Sequence, residues 1–247
     1  MRERGRVRFA LVLGLTVAAA SAAAGGDESG AREEFERPAP AAAAKPAPAA
    51  SGECAATLTA RVQARYDGMR ELEARFTQRT LSALSPGGDV TSGRVALAKP
   101  GKMRWSYETP EPSLVVSDGA TLWIYDPRAR EAQKLAVGGQ FLSGAAFQFL
   151  LGSGRIADSF RVTAERCDAA RAKLLLTPKA DATYQALELT VDVASGEAFA
   201  TAVLDLFGNR TEVEFDELRY DRGLDPSTFR FLPEPGVRVI ELAPTPG

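Results

Sequence analysis

Large apolar side chains alternate with polar ones over much of the chain beyond residue 90. In the stretch GKMRWSYETPEP, residues 101–112, Met103, Trp105 and Tyr107 occupy every second position, and Lys, Arg, Ser and Glu lie around them. This period of two predicts a strand with one apolar face and one solvated face. The alternation alone fits a wall of an ordinary core and a wall of a ligand cavity equally well.

Similar segments recur along the rest of the chain and predict a largely β protein. About eleven strands are predicted in total. In addition to 102–108 they are 90–98, 113–117, 120–126, 131–137, 160–166, 171–177, 184–193, 198–206, 210–219 and 237–242. Short turns rich in Gly, Pro and Asn separate them, which favours an antiparallel meander over βαβ units. We expect a curled antiparallel barrel or half-barrel of the mainly β (α+β) class, because a sheet of this length curls.

Asp118-Gly119 is a strong hairpin signal between two of these strands, because tight primed turns need positive φ at their centre. A two-residue loop there would place Val116 opposite Thr121 and Leu114 opposite Trp123. We therefore predict that Leu114, Val116 and Trp123 lie on the same face of the sheet as Met103, Trp105 and Tyr107.

Two segments break the strand pattern and could cover the curled sheet. Residues 56–79 carry apolar side chains at helical spacing, which predicts an amphipathic helix to about Ala74, followed by a strand through 76–78. The helix residues predicted to contact the sheet or a ligand are Leu58, Val62, Met69 and Leu72. Residues 138–153 carry no charge and predict one or two short helices. The predicted underside of this second cover is Phe141, Phe147, Leu150 and Leu151.

The N-terminal part of the chain is predicted to lie outside the fold. Residues 1–24 combine four Arg, an apolar run and an Ala triplet, which is typical of a secretory signal peptide. Residues 25–53 are rich in Ala and Pro and predict a disordered linker, so the folded domain is expected at 54–247.

The net charge of −2 would become −5 after removal of the signal, which carries four Arg and one Glu. A mildly acidic protein without a basic cluster is a poor candidate for nucleic-acid binding.

The titratable residues restrict the chemistry. The chain has no His, which excludes Ser-His-Asp and Cys-His catalysis and His-ligated metals. Two Cys cannot form a structural zinc site alone, so we expect no metal and no cofactor. In an exported protein Cys54 and Cys167 either pair or remain as two buried thiols; a disulfide would join the first helix to a distant strand.

The run KPGKMRWSYETPEPSLVVSDGATLWIYDP, residues 99–127, resembles a hallmark segment of the periplasmic lipoprotein carrier family, LolA. Further segments resemble the family in the same order, over about residues 56–242: ELEARFTQ, LLLTPK, LTVDVASG, LDLFGNRTEVEF and DPSTFRFLPEPGVRVIEL. The resemblance implies an unclosed antiparallel barrel with a helical lid enclosing a hydrophobic cavity. It also implies a non-enzymatic periplasmic chaperone. Such a carrier takes acyl chains of lipoproteins from an inner-membrane ABC-type extractor and delivers them to an outer-membrane acceptor. We expect it to act as a monomer.

The resemblance also assigns roles to single residues. It favours Met103, Trp105 and Tyr107 as lining of a lipid cavity, with Met103 at its mouth. Lys99 matches a basic residue, often Arg, that hydrogen-bonds to the lid helices in family members and so serves as a lid latch. Lysine keeps the charge but lacks the planar bidentate contact of Arg.

Other functions compatible with the sequence are a carrier of another lipid and a lipid-sensing interaction domain of an envelope-stress regulator. Related half-barrels serve in such regulators, usually beside an additional domain. An enzyme that uses a pair of carboxylates, for instance a glycosidase, is supported by nothing beyond the presence of Asp and Glu.

Overall fold

The computed structural model describes residues 48–82, 85, 87–136 and 154–242. The helices are α1 (Pro48–Gly68), α2 (Ile156–Ser159) and a 3-10 turn (Pro226–Phe229). The strands are β1 (Glu71–Leu81), β2 (Asp89–Ala98), β3 (Lys102–Thr109), β4 (Ser113–Asp118), β5 (Thr121–Asp126), β6 (Glu131–Ala136), β7 (Phe160–Cys167), β8 (Arg171–Pro178), β9 (Tyr184–Asp192), β10 (Ala198–Asp205), β11 (Arg210–Tyr220) and β12 (Arg238–Leu242).

The strands form one sheet in the order β12-β6-β5-β4-β3-β2-β1-β11-β10-β9-β8-β7. Neighbours are antiparallel except β12 and β6, which pair in parallel. β7 and β12 are the edges, so the curled sheet stays open as predicted for the half-barrel, with twelve described strands in place of about eleven.

The pairing of β1 with β11 joins the two halves of the sheet, since β1 follows α1 and β11 lies near the C-terminus. Phe76 on β1 lies opposite Phe215 on β11 and opposite Gly93 on β2. A Cβ at Gly93 would lie 2.0 Å from the carbonyl oxygen of Ser106. Glycine is therefore required at the point where β2 bends against β3.

Helix α1 packs against the inner face of the sheet, which we define as the face that carries Trp105. Leu58, Val62 and Tyr66 recur every fourth residue and are almost fully buried there. This apolar stripe is the reason the helix is stable, because most helical stability comes from packing. The buried side of α1 and the inner face form the main core.

The helix begins and ends earlier than predicted. It starts at Pro48, inside the predicted linker, where Pro is favoured in a first turn and the following Ala residues are good helix formers. It ends at Gly68 and not near Ala74, because Gly is a poor helix former and the pattern changes to a strand. Leu72, predicted on the lid helix, lies on β1 with alternating burial around it.

The β4–β5 hairpin also differs from the prediction. Val116 pairs with Trp123, and Leu114 pairs with Tyr125, so the register differs from the expected one. Gly119 has φ of +95° and Asp118 ends β4, so Gly119 and Ala120 form the turn. The Asp118 carboxylate accepts hydrogen bonds from the N–H groups of Ala120 and Thr121 at 2.9 and 2.8 Å.

Candidate functional site

A small apolar cavity of about 20 Å³ lies between α1 and the inner face. Its lining comes from α1 and from strands in both halves of the sheet: Tyr66, Leu72, Val95, Leu97, Trp105, Leu189, Ala198, Thr201, Phe215 and Leu218. Tyr66 is the only ionisable residue in this set, and burial raises its pKa to about 12. The lining is therefore suited to hydrocarbon and unsuited to acid–base chemistry at neutral pH.

Aromatic rings pack against one another on the sheet side of the cavity. Phe76 lies edge-on to Trp105, with ring centroids 4.7 Å apart, and edge-on to Tyr107 at 5.1 Å. Phe215 on β11 lies 6.2 Å from Trp105, across β1 and β2. Edge-to-face contacts of this kind add about 0.5–1.5 kcal/mol per pair beyond area burial, so these rings stabilise the sheet side of the cavity.

The three aromatic and apolar residues predicted on β3 share the inner face. Met103, Trp105 and Tyr107 are 1%, 8% and 7% exposed. Trp105 lines the cavity, whereas Met103 and Tyr107 are buried beside it. The Tyr107 hydroxyl donates to Gln78 Oε1 at 3.3 Å, and burial raises the Tyr107 pKa to about 12.

The prediction that Leu114, Val116 and Trp123 share that face is wrong. Trp105 pairs with Val115, whereas Val116 pairs with Arg104 on the outer face. Alternation within β4 was correct, but the turn between β3 and β4 sets which side faces inward, and a shift of one residue reverses it. The inner residues of the β4–β5 hairpin are instead Val115 and Leu122, both buried in the main core.

The outer face carries a second cluster with a structural role. Ala96 and Ala98 of β2 pack with Phe229, and Leu224 adds to them. Phe231 lies 5.3 Å from Trp123 and 5.0 Å from Tyr125, between ring centroids. The C-terminal segment 224–231 thus covers the outer face of these strands.

Several predicted lid residues can be placed. Leu58 and Val62 are buried on α1 in the main core, and Met69 is buried just after the helix. Leu72 lines the cavity from β1. The predicted lid residues Phe141, Phe147, Leu150 and Leu151 lie outside the described residues.

Lys99 holds the C-terminal end of α1. Its Nζ donates a hydrogen bond to the carbonyl oxygen of Tyr66, in the last turn of the helix. A cation is favoured there because the last carbonyls of a helix lack partners and carry partial negative charge. Burial lowers the Lys99 pKa, and the carboxylates of Asp67 and Asp221 oppose that change.

The rest of α1 is attached to the other half of the sheet, the half that contains β7 to β10. Cys54 forms a disulfide with Cys167 at the end of β7. Arg61 donates to the Val193 carbonyl, and Arg65 pairs with Glu197 at 2.5 Å. The helix is therefore covalently fixed near its first turns and held by polar bonds closer to the cavity.

The residues of β9, β10 and β11 that line the cavity were not singled out from the sequence. Leu189, Thr201 and Phe215 lie at least 80 positions beyond the end of β3. The alternation in β11 predicts one apolar face, but only the β1–β11 pairing shows that this face meets Trp105.

Other kinds of site are absent from the residues that can be described. Across 48–136 and 154–242, with short gaps at 83–84 and 86, no group of three His, Cys, Asp or Glu side chains could hold a metal ion. None of the described helices is long and apolar enough to cross a bilayer.

Comparison with known proteins identifies the family. The model for "Outer membrane lipoprotein carrier protein LolA" matches residues 67–232. An outer-membrane lipoprotein carrier protein of Chromobacterium violaceum is 32% identical over 186 residues, covering 75% of this chain and 88% of the relative. One of Dechloromonas aromatica is 31% identical over 174 residues, covering 69% and 81%.

A solved structure, the putative outer membrane lipoprotein-sorting protein domain from Vibrio parahaemolyticus, is also similar. It has a TM-score of 0.43 at 16% identity and covers 72% of this chain and 96% of its own. That likeness carries no weight in the assignment, which rests on the sequence relatives. On their evidence, the chain belongs to the LolA family of outer-membrane lipoprotein carriers.

Proposed function

We propose that this protein is a periplasmic chaperone that carries lipoproteins by holding their acyl chains between α1 and the inner face of the sheet. The observation that carries the proposal is the predominantly apolar lining under a helix held by a few polar bonds. The relatives named as lipoprotein carriers support the same cargo. The role requires no covalent chemistry by the protein.

The cavity must expand to take up an acyl chain. A volume of about 20 Å³ admits roughly one water-sized group, whereas an acyl chain has more than ten methylenes. We propose that the C-terminal half of α1 moves away from the sheet, with the disulfide holding its other end. Opening then breaks the Lys99–Tyr66 bond and the Arg65–Glu197 pair.

The relative energies favour opening when a chain is present. Each buried methylene contributes about 0.8 kcal/mol, so one long chain yields roughly 10 kcal/mol of gross stabilisation. A hydrogen bond to a charged group contributes about 1.5–3 kcal/mol, and a half-exposed ion pair less. Loading can therefore break both contacts, and their re-formation assists release.

We propose further that the cargo comes from an ATP-driven extractor in the inner membrane and passes to an acceptor at the outer membrane. The carrier acts as a monomer after export by residues 1–24, with residues 25–47 as a tether ahead of α1. Transfer of this kind is driven by the extractor, so the carrier needs only a moderate affinity for lipid.

The test is capture of a triacylated lipoprotein from inner-membrane vesicles that contain the extractor. With ATP, the mature protein should release the lipoprotein into a soluble complex of one carrier and one cargo. Thr201→Phe, which fills the cavity, should reduce capture strongly. Thr190→Phe, on the neighbouring outer position of β9, should not. Capture that is equal in both variants would contradict the proposed site.

A further inference from the structure

Trp105 has a buried polar group that the described part of the chain leaves unpaired. The residue is 8% exposed, and its indole Nε1–H has no hydrogen-bond partner among the described residues. Buried Trp side chains usually find such a partner, and an unpaired buried donor is costly. A Phe at position 105 would fill much of the same space without an unpaired donor.

Tyr107, the neighbouring aromatic residue on the same face, does have a side-chain hydrogen-bond partner. Tyr107 lies two positions along β3 on the same face, and its hydroxyl donates to Gln78. Around Trp105 the cross-strand partners are Val95 and Val115, neither of which has a side-chain acceptor. The donor is therefore isolated by apolar neighbours, in the residue that also lines the cavity.

The opposite wall of the cavity contributes few polar atoms. Apart from Trp105, Tyr66 and Thr201 are the lining residues with polar side chains, and the remainder are aliphatic residues and Phe215. A ligand made only of hydrocarbon would leave the indole unpaired. A ligand with one acceptor at the end of its hydrocarbon would satisfy the indole and still match the apolar walls.

We infer that the Trp105 Nε1–H donates a hydrogen bond to the carbonyl oxygen of a bound acyl group, at the ester or amide that joins the hydrocarbon to the cargo. This inference rests on the proposed carrier function and adds a determinant of specificity to it. The indole selects acyl chains over alkyl chains, and it fixes how deeply the carbonyl end of a chain enters. One hydrogen bond gives this selection without preventing release.

The two Trp residues allow a test at one atom. Trp105 and Trp123 are the only two in the chain, and Trp123 lies on the outer face. In a Trp123→Phe background, biosynthetic replacement of Trp by 3-benzothienylalanine substitutes sulfur for the N–H at position 105 alone. Thermal unfolding of both forms checks that the fold is retained.

The probes are a tripalmitoylated cysteinyl peptide and its trialkyl analogue, which lacks the acyl carbonyls. We expect the replacement to weaken binding of the acylated probe about three- to tenfold, as the loss of one hydrogen bond predicts. Binding of the alkyl analogue should change less than about twofold by the same reasoning. An equal change for both probes, or no change for either, would overturn the inference.

Infrared spectra of the acylated probe, labelled with ¹³C at its carbonyls, give a second readout. One carbonyl band should shift to lower frequency on binding to the Trp105 protein and should not shift in the benzothienyl form. Identical bands in both forms would show that the indole bonds to something else, such as a retained water, and would also overturn the inference. Separate labels on the ester and amide carbonyls identify which one is bound. Failure of both probes to bind the unsubstituted protein would instead overturn the carrier function.

Discussion

Lys99 donates a hydrogen bond from its Nζ to the backbone carbonyl of Tyr66, the α1 residue that lines the apolar cavity. The backbone N–H of Lys99 also donates to the Arg70 carbonyl at 2.9 Å. The end of β2 is thereby bonded to the last turn of α1 and to the segment that follows it. A single side chain thus connects the rim of the sheet to the helix over the cavity.

Replacement of Lys99 by Met should loosen this end of α1 while keeping the length and the apolar stem of the side chain. We expect the free energy of unfolding to fall by about 1.5–3 kcal/mol and the rate of lipid exchange to rise several-fold. Equilibrium denaturation and stopped-flow transfer of a fluorescent acyl probe measure the two effects.

Lys99→Arg is the matched control, because it keeps the charge and can make two hydrogen bonds to helix carbonyls. Its exchange rate should equal or fall below that of the unsubstituted protein. If Met and Arg at position 99 give the same rate, then the bond to Tyr66 does not limit opening.

Removal of the Cys54–Cys167 disulfide should reduce stability without abolishing lipid binding. The bond closes a loop with a sequence separation of 113 residues, and loss of such a cross-link costs about 2–5 kcal/mol. The Cys54→Ser, Cys167→Ser double variant should show this loss in equilibrium denaturation. A change under about 0.5 kcal/mol would mean that α1 gains nothing from its covalent attachment to β7.

The outer-face cluster should contribute to stability and not to lipid binding. Phe229 is 3% exposed, and Phe229→Ala should lower the free energy of unfolding by about 3 kcal/mol. Leu232→Ala is the control, because Leu232 is 84% exposed and should have almost no effect. Reduced acyl-probe affinity in a still-folded Phe229→Ala protein would show that the outer face belongs to the lipid site.

Acid should destabilise the protein partly through Glu188. Arg210 contacts both carboxylate oxygens of Glu188 at 2.7 Å, and Lys173 lies 2.6 Å away. The hydrogen bonds from Arg210, opposed by burial and aided by Lys173, lower the Glu188 pKa below its ordinary value of 4.5. The unfolded chain therefore binds a proton first as the pH falls.

The contribution of Glu188 to stability is complete above pH 4.5 and is lost as the pH falls from there through the lowered folded value. Glu188→Gln should flatten the pH dependence of the unfolding free energy in that window. Glu214→Gln, at an exposed position on β11, is the charge-matched control. Equal slopes in the two variants would exclude Glu188 as a source of the acid sensitivity.

Local patterns were enough to predict β2 to β12 and the inner face of β3. They failed at the start of β1, which was predicted as helix. Leu72 and Phe76 are four residues apart, and this spacing fits one face of a helix and one face of a strand equally well. They also failed at Leu114, Val116 and Trp123, because alternation defines the two faces of β4 but not which one joins the inner face of β3. The latch role of Lys99 came from family resemblance and stays a prediction, although its contact with Tyr66 is consistent with it.

The half of the cavity formed by β9, β10 and β11 could not be predicted locally. It depends on the pairing of β1 with β11, between residues separated by about 140 positions in the chain. The unpaired indole N–H of Trp105 also could not be predicted locally. It depends on strand pairing, which places Val95 and Val115 opposite Trp105.

The most direct test of lipid binding at this cavity is quenching of tryptophan fluorescence by a triacylated peptide with brominated acyl chains. Bromine quenches an indole only at close range, so Trp123→Phe reports on Trp105 and Trp105→Phe reports on Trp123. We expect strong, saturable quenching of Trp105 on the inner face and little quenching of Trp123 on the outer face. Quenching of Trp123 with Trp105 unaffected would place the lipid on the opposite side of the sheet and contradict the account.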